Sequence, residues 1–159
     1  MIMYPFSPLY NKDSKILILG SFPSVKSREQ MFYYGHPQNR FWKVISSVFE
    51  CKEPESIEEK KQLLFENGIA LWDVIASCDI TGSSDSSIKN VKVNDLSTIL
   101  KEADIRQIFV NGRTAEKYFK KHIKSQTNQD AICLPSTSPA NAAWSVERLV
   151  EKWEVLKSI

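Results

Sequence analysis

The stretch Lys15-Ile-Leu-Ile-Leu-Gly-Ser-Phe-Pro-Ser24 decides the fold of this chain. Its apolar residues are consecutive rather than alternating, which predicts a strand covered on both faces, as in a parallel sheet. The run stops at Gly20, and a polar loop follows that continues through Tyr33-Tyr-Gly-His-Pro-Gln-Asn-Arg-Phe-Trp42. Ligands of such sheets bind where loops leave the carboxyl ends of strands. This loop carries hydroxyls, amides, a histidine, cations and aromatic rings, so it is a candidate binding site.

The length and composition of the chain fit one globular domain. Its 159 residues are enough for a sizeable core, and 42% hydrophobic with 25% charged residues is typical of a folded globular protein. A formal net charge of +2 is too small to indicate nucleic acid by itself, so any basic surface must be local. We therefore expect a single domain over residues 1–159.

The cysteines and histidines argue against a cofactor. Cys51, Cys78 and Cys133 are scattered without a CxxC spacing, which indicates reduced thiols and a cytoplasmic protein. Three cysteines are one fewer than an iron–sulfur cluster usually needs, and His36 and His122 are too far apart for a zinc-site spacing. We expect no metal and no cofactor. No segment approaches about 20 apolar residues, so we also expect no membrane span and no signal peptide.

Strands and helices alternate along the rest of the chain. Ser56-Ile-Glu-Glu59 has the form of a capping box, which opens a helix that ends at Asn67-Gly68. The other predicted helices are Arg40–Glu50, Asn94–Ala103 with Asn94 as cap, Arg113–Ile123 and Ser145–Leu156. The predicted strands are Ile69–Ile75, Ile105–Val110 and Ala131–Leu134. Residues Met1–Asp13 are predicted to form an arm, and Cys78–Ser87 a loop. This alternation predicts an α/β fold, a three-layer α/β/α domain with a central, mostly parallel four-stranded sheet.

A second polar loop, Leu134-Pro-Ser-Thr-Ser-Pro-Ala-Asn141, leaves the last predicted strand. The carboxyl ends of parallel strands meet at one edge of a sheet, so the two loops are expected to form two halves of one site. Taken alone, the second loop is also adequate as a Ser/Thr/Pro turn leading to the helix at Ser145.

The two loops resemble those of the uracil-DNA glycosylase superfamily. The first motif of that family has the form Gly-x-(Asp or Asn)-Pro, and Gly20-Ser-Phe-Pro23 matches it. The second is a short loop containing Pro-Ser after the last strand, matched by Pro135-Ser-Thr-Ser-Pro-Ala140. The strand Ile105–Val110 followed by Asn111-Gly112 also fits the family's layout. The resemblance covers nearly the whole chain and implies a flipped-out nucleobase as the ligand.

Two departures from the family pattern concern the substrate. The water-activating Asp or Asn of the family stands at the position of Phe22, which cannot polarise water, and Leu134 stands where uracil-excising enzymes often have His or Asn. Together with the His-Pro-Gln-Asn segment ending at Asn39, this resembles the hypoxanthine (deoxyinosine) DNA glycosylases, in which the Asn of this segment carries the catalytic amide. The resemblance implies hydrolytic removal of hypoxanthine, a deaminated adenine, from DNA in base excision repair.

The chemistry of base removal is compatible with an amide. The base departs through an oxocarbenium-like transition state, which asks little of the nucleophile. An amide that holds a water near the sugar acts by positioning, which contributes on the order of 7 kcal/mol in good cases. Asn39 is therefore a candidate catalytic residue, although Asn before a helix is also a common cap. His36 is a second candidate, either as a donor to the departing base or a phosphate, or as an ordinary loop residue.

The remaining candidates divide into a base pocket and a DNA-binding surface. Phe22 is predicted to stack on a flipped purine, which is worth roughly 1–3 kcal/mol per base, unless it is an ordinary core residue. Loop hydroxyls and local cations are predicted to contact phosphates, and the compact tip of the second loop to hold the base stack open. The pocket candidates are Gly20, Ser21, Phe22, Pro23, Ser24, Tyr33 and Tyr34, and the DNA-binding candidates are Lys26, Arg28, Arg40, Ser136, Thr137, Ser138, Pro139, Ala140 and Asn141.

Other functions are open at this point. A mismatch-type uracil or thymine DNA glycosylase is the nearest, although Phe22 and Leu134 weigh against it. A serine hydrolase using Ser21 or Ser136 lacks the GxSxG elbow. A non-catalytic nucleic-acid- or nucleotide-binding α/β module is a further alternative, and no P-loop or GxGxxG is present to support a nucleotide-binding fold. Neither motif presents a lysine for a Schiff base, so we expect a monofunctional enzyme. The expected partner is damaged DNA, double-stranded or single-stranded, bound by a cytoplasmic, nucleoid-associated monomer.

Overall fold

Two sheets organise the protein in the computed structural model, which describes residues 2–3, 6–30 and 32–159, with the side chains of residues 2, 3, 26 and 30 excepted. Its strands are β1 (Ile2–Met3), β2 (Ile16–Gly20), β3 (Ile69–Asp73), β4 (Ile75–Asp79), β5 (Lys89–Val93), β6 (Gln107–Asn111) and β7 (Ala131–Leu134). The order β3-β2-β6-β7 forms a parallel sheet, and β1-β4-β5 forms an antiparallel one.

The helices lie between these strands. They are α1 (Val25–Gln30), α2 (Phe41–Val48), α3 (Ile57–Glu66), α4 (Ser97–Glu102), α5 (Arg113–Tyr118), α6 (Lys124–Thr127) and α7 (Val146–Trp153). A π turn over Phe119–Ile123 joins α5 to α6. One 3-10 turn, Asp85–Ser87, lies between β4 and β5, and another, Glu154–Ser158, follows α7. None of the described helices is long and apolar enough to cross a membrane.

The central strand β2 is buried on both faces. Ile16 and Ile18 pack into a core shared with α2, α3 and α7, whereas Leu17 and Leu19 pack into a second core shared with α4 and α5. All four side chains are fully buried, which stabilises the fold by about 1.5–3 kcal/mol per side chain. The predicted three-layer fold with a parallel four-stranded sheet is therefore confirmed.

Local capping sets several helix boundaries. Ser56 Oγ and Ser145 Oγ accept hydrogen bonds from backbone N–H groups three residues further on, at 3.1 and 3.2 Å. Both helix starts therefore agree with the prediction. The predicted cap at Asn94 is wrong, because α4 begins three residues later. Asn94 Nδ2 instead donates to the carbonyl oxygen of Asp73 at 2.8 Å and braces the end of β3.

The antiparallel sheet is the main departure from the sequence prediction. The chain bends after β3, where the N–H groups of Val74 and Ile75 donate to the carbonyl oxygens of Gly20 and Ser21 at 2.8 and 3.1 Å. The predicted strand Ile69–Ile75 is therefore two strands in different sheets. The first two residues of the predicted Cys78–Ser87 loop belong to β4, and β1 of the N-terminal arm pairs with that strand.

Two helical predictions also change. The segment Val25–Gln30 was expected as part of a loop and forms α1. The single helix expected over Arg113–Ile123 is divided into α5 and a π turn. Neither change moves the carboxyl edge of the parallel sheet, at which both polar loops begin.

Candidate active site

A cleft with a volume of about 1020 Å³ lies at the carboxyl edge of the parallel sheet. The ends of β2, β3, β6 and β7 line it, together with both polar loops. The sequence-predicted residues that line it are Gly20, Ser21, Phe22, Pro23, Ser24, Tyr33, Tyr34, His36, Asn39, Ser136, Thr137, Ser138, Pro139, Ala140 and Asn141. Thus the two loops do face one another across one cavity.

Two serines, the half-buried Ser24 and the buried Ser27, join the two parts of the first loop. Ser24 Oγ accepts from the backbone N–H of Ser27 at 3.1 Å, which is the bond of a helix N-cap at the start of α1. Ser27 Oγ in turn accepts from the backbone N–H of Gly35 at 2.8 Å. These bonds hold the segment after β2 against the segment that carries Tyr34 and His36.

The side-chain oxygen of Asn39 is held by two hydrogen bonds within the protein. Its Oδ1 accepts from the backbone N–H of Phe41, the first residue of α2, at 2.9 Å, and also from Thr137 Oγ1 at 2.9 Å. The N-cap position itself is occupied by Arg40, so the predicted cap at Asn39 is displaced by one residue. Because a backbone N–H can only donate, the oxygen of this amide is assigned without ambiguity. Both lone pairs of Oδ1 are then used. The Nδ2 group is therefore the part of the Asn39 side chain that can donate a hydrogen bond to a ligand in the cleft.

The Thr137 hydroxyl belongs to a chain of hydrogen bonds inside the protein. Asn111 Nδ2 donates to Thr137 Oγ1 at 3.0 Å, and Asn111 Oδ1 accepts from the backbone N–H of Thr137 at 3.1 Å. Thr137 is 0% exposed. Its predicted contact with a phosphate is therefore corrected: the hydroxyl orients Asn39. Asn111, which the sequence identified only as the end of a strand that fits the family's layout, holds Thr137 through these two hydrogen bonds.

His36 presents a hydrogen-bond donor to the cleft. Its Nδ1 accepts from the backbone N–H of Gln38 at 3.0 Å. A neutral ring with an accepting Nδ1 carries its proton on Nε2. The other ring nitrogen can therefore donate to a base or a phosphate, as the sequence suggested.

The aromatic pocket candidates differ in their surroundings. Tyr33 is buried in the core, and its hydroxyl donates to the carbonyl oxygen of Ser7 at 2.8 Å, which makes it a packing residue. Phe22 is 9% exposed and packs into the core around β2, with the guanidinium carbon of Arg28 5.6 Å from its ring centroid. Only a small part of the Phe22 ring is therefore open to a base.

Arg40 holds the second loop in place. Its guanidinium donates to the carbonyl oxygens of Ser138 and Asn141 at 2.8 and 3.0 Å and to that of Trp144, and Nε donates to that of Thr137 at 3.4 Å. Four of its five side-chain donors are thus used within the protein. This corrects the predicted direct phosphate contact: Arg40 positions the second loop.

The second loop is also stiffened by its own side chains. Ser136 Oγ and Ser138 Oγ each accept from the backbone N–H two residues further on, at 3.1 Å, and Asn141 Nδ2 donates to the carbonyl oxygen of Ser136 at 3.0 Å. The tip at Pro139 and Ala140 stands at the rim of the cleft, with Ala140 exposed. A compact, internally bonded tip is suited to hold a base stack open.

Two further predicted phosphate contacts remain without direct support. Arg28 donates to the carbonyl oxygens of Ser24 and Gly82 at 3.4 and 2.8 Å, so it ties α1 to the loop after β4. The side chain of Lys26 lies outside what the structure describes. Among the described residues, no three His, Cys, Asp or Glu side chains are grouped so that they could hold a metal ion.

The floor of the cleft contains an acidic residue that sequence reasoning missed. Asp73, at the end of β3, is 4% exposed and pairs in register with Gly20 of β2. A Cβ at Gly20 would overlap Asp73 Oδ1 and would lie 2.9 Å from Tyr34 Oη. Burial raises the pKa of the Tyr34 hydroxyl well above its usual range, and the Asp73 carboxylate raises this pKa further. The signal in the sequence was a lone Asp at the end of an apolar run.

The fold and this cleft define a class of protein, a small α/β domain that receives a ligand where two loops leave a parallel sheet. Residues 7–159 match the family model of the uracil DNA glycosylase superfamily. The chain therefore belongs to the uracil DNA glycosylase superfamily.

The relatives within this superfamily cover the chain almost completely. A hypoxanthine DNA glycosylase of Methanosarcina acetivorans is 36% identical over 159 residues, 98% of each chain, and one of Methanosarcina barkeri is 34% identical over 139 residues, 86% of each chain. A solution NMR structure of a candidate uracil DNA glycosylase from Methanosarcina acetivorans superimposes with a TM-score of 0.81, at 31% identity and 99% coverage of both chains.

Proposed function

We propose that this protein is a monofunctional DNA glycosylase that removes hypoxanthine from DNA by hydrolysis. The observation that carries the proposal is the fixed amide of Asn39, whose oxygen is held by Phe41 and Thr137 and whose Nδ2 faces the cleft. The two relatives named hypoxanthine DNA glycosylases support the choice of base. The first motif has no acid or amide at Phe22, which leaves the water to Asn39.

The proposed reaction breaks the bond between the base nitrogen and C1′ of deoxyribose. Asn39 Nδ2 donates to a water and holds its oxygen against C1′, so the bond from water to carbon forms as the base departs with the bonding electrons. The water loses its proton to solvent, because an amide is no base. His36 Nε2–H is placed to donate a hydrogen bond to the departing base, which takes its proton from solvent and leaves as the neutral base.

The proposed DNA contacts come from the rim of the cleft. The tip at Pro139 and Ala140 fills the gap left by the flipped nucleotide, while Ser136, Ser138 and nearby backbone amides face the phosphates. A single chain carries both loops, so a monomer acting on double-stranded chromosomal DNA is sufficient, and Lys26 is proposed as an added phosphate contact. The pocket formed by Gly20–Ser24 receives the base, with the edge of Phe22 against it.

A comparison of substrates tests this function. Single-turnover cleavage is measured on matched duplexes containing inosine, uracil, xanthine or a thymine mismatch, without added metal and with alkali to reveal abasic sites. We expect hypoxanthine release with the strand intact before alkali. Release of uracil alone would replace the proposal with a mismatch-type uracil glycosylase. Release of no base, with DNA binding retained, would favour a non-catalytic binding module.

Asn39→Ala tests the assigned residue within the same assay. Loss of the positioned water should lower the rate on inosine by at least about 100-fold while DNA binding persists. Gln38→Ala is the matched control, because Gln38 is exposed and only its backbone N–H bonds His36. An Asn39→Ala variant that cleaved at the rate of the control would remove Asn39 from the mechanism.

A further inference from the structure

Two polar side chains meet on the floor of the cleft, beyond the residues assigned above. Asp73 is almost completely buried, yet it lines the cleft rather than the core. The Tyr34 hydroxyl is also buried and makes no hydrogen bond of normal geometry among the described residues, although the Asn111 side chain lies close enough to interact with it and lowers its pKa. Burying a hydroxyl without a partner costs about 1–3 kcal/mol, so such a group needs an explanation.

The backbone around this pair is built to accommodate it. Tyr34 has a φ of +55°, a left-handed conformation that is uncommon for an aromatic residue and is often found at ligand sites. Gly20 leaves the space that both polar groups occupy, since a Cβ there would collide with Asp73 Oδ1 and crowd Tyr34 Oη. Asn94 Nδ2 donates to the Asp73 carbonyl oxygen at 2.8 Å and braces the backbone of this strand end. The side chains are therefore held together at the strand ends.

We propose that Asp73 and Tyr34 form an acceptor–donor pair that reads the N1–H and C6=O edge of a deaminated purine. This inference rests on the proposed function and assigns the base-reading residues of that site. Deamination of adenine turns N1 from an acceptor into an N–H donor and replaces the 6-amino donor by a carbonyl acceptor. A carboxylate accepts from N1–H, and a phenol donates to O6.

The same pair rejects adenine. Adenine would place the lone pair of N1 against the Asp73 carboxylate, and its 6-amino group could only donate to Tyr34 Oη, which leaves the phenolic proton without the acceptor that O6 provides. A buried polar site discriminates strongly against a ligand that leaves its groups unpaired. A carboxylate has about four acceptor positions, so Asp73 can keep a bond within the protein while it accepts from a base. Because the Tyr34 hydroxyl has no solvent access in the free protein, the proposal requires the Tyr34 side chain to shift when the base enters the cleft.

Substrate analogues separate base reading from a structural role. Single-turnover rates are measured on one duplex sequence that contains either 2′-deoxyinosine or 2′-deoxynebularine, the purine that lacks both N1–H and O6. Asp73→Ala and Tyr34→Phe are compared with the unaltered protein on both substrates. The ratio of variant to unaltered rate on each substrate cancels the intrinsic lability of the glycosidic bond.

We expect losses confined to inosine. Asp73→Ala should lower that rate roughly 10- to 150-fold, as expected for a bond to a charged group, and Tyr34→Phe about 3- to 10-fold, with nebularine release unchanged. Tyr34→Phe should also leave the melting temperature unchanged or higher, since it removes an unpaired hydroxyl. Equal losses on both substrates, or no loss on inosine, would overturn the pair.

Other outcomes are equally decisive. If Asp73→Ala does not fold, Asp73→Asn and Tyr34→Phe are tested instead. The inference is overturned if, in both variants, the ratio of the inosine rate to the nebularine rate equals that of the unaltered protein. If the unaltered protein releases nebularine and not hypoxanthine, the proposed function itself fails. If it releases hypoxanthine and the variants lose both substrates equally, the function stands and only the base-reading pair is wrong.

Discussion

At the scale of one residue, the buried hydroxyl of Thr137 decides what Asn39 can offer to a substrate. Its oxygen already accepts from Asn111 Nδ2, so its proton must point to Asn39 Oδ1. Thr137→Val keeps the shape but removes both bonds and leaves the Asn111 amide unpaired. We expect the free energy of unfolding to fall by about 1–3 kcal/mol. We also expect kcat on inosine to fall while KM changes little, measured by steady-state kinetics.

Thr137→Ser is the matched control for this prediction. Serine keeps the hydroxyl, so it should retain most of the rate, although it leaves a small cavity at a fully buried position. A Val variant with the kcat of the Ser variant would show that the orientation of Asn39 does not depend on Thr137.

At the scale of elements, Arg40 connects α2 to the second loop. It follows Asn39 directly, and its guanidinium reaches four carbonyl groups of the segment 137–144. Lysine keeps the charge but has three donors around one nitrogen instead of a planar fork. We therefore expect Arg40→Lys to weaken binding of the inosine duplex more than it slows chemistry at saturating DNA, measured as Kd and single-turnover rate.

The retained charge makes this substitution informative. If Arg40 contacted a phosphate directly, Lys would replace it with little loss of affinity. Lys43→Ala, on the exposed side of α2, serves as the control for loss of a nearby cation and should change the Kd less. Equal Kd values for Arg40→Lys and the unaltered protein would contradict the positioning role.

The same elements show how far the sequence could lead. The strand Ile16–Gly20 was predictable because an unbroken apolar run has one stable environment, the middle of a parallel sheet. The loop that carries Asn39 was predictable because its polar groups follow that strand end. The antiparallel sheet was not predictable, because its strand β5 has the sequence Lys-Asn-Val-Lys-Val and is mostly exposed. Its pairing with β4 is also irregular.

The contacts that complete the site could not be predicted from the sequence for a related reason. The bonds from Thr137 to Asn39, and from Arg40 to Asn141, join residues about one hundred positions apart. No local pattern specifies such pairs. Asp73 is a similar case, because its burial beside Gly20 depends on the register between β2 and β3.

At the scale of the whole molecule, the distribution of charge sets how the protein meets DNA. The net charge is +2, and the guanidinium groups of Arg28 and Arg40 are engaged by backbone carbonyls rather than facing outward. Arg113 and Lys152 are the exposed cations among the described residues that line the cleft. Recognition must therefore depend more on loop amides and hydroxyls than on neutralised phosphates.

A shallow salt dependence follows from this distribution. Each neutralised phosphate contributes about −0.9 to the slope of log affinity against log salt, so two or three contacts give a slope of about −2 to −3. Fluorescence anisotropy with an inosine duplex measures this slope, and the Asn39→Ala variant is used because we expect it to bind the duplex without cleaving it. Arg113→Gln should reduce the slope by about 0.9. Lys157→Gln, at the amino edge of the sheet beside Gly68, should leave it unchanged. A slope steeper than about −5 would require a broad cationic footprint that the described surface around the cleft does not provide.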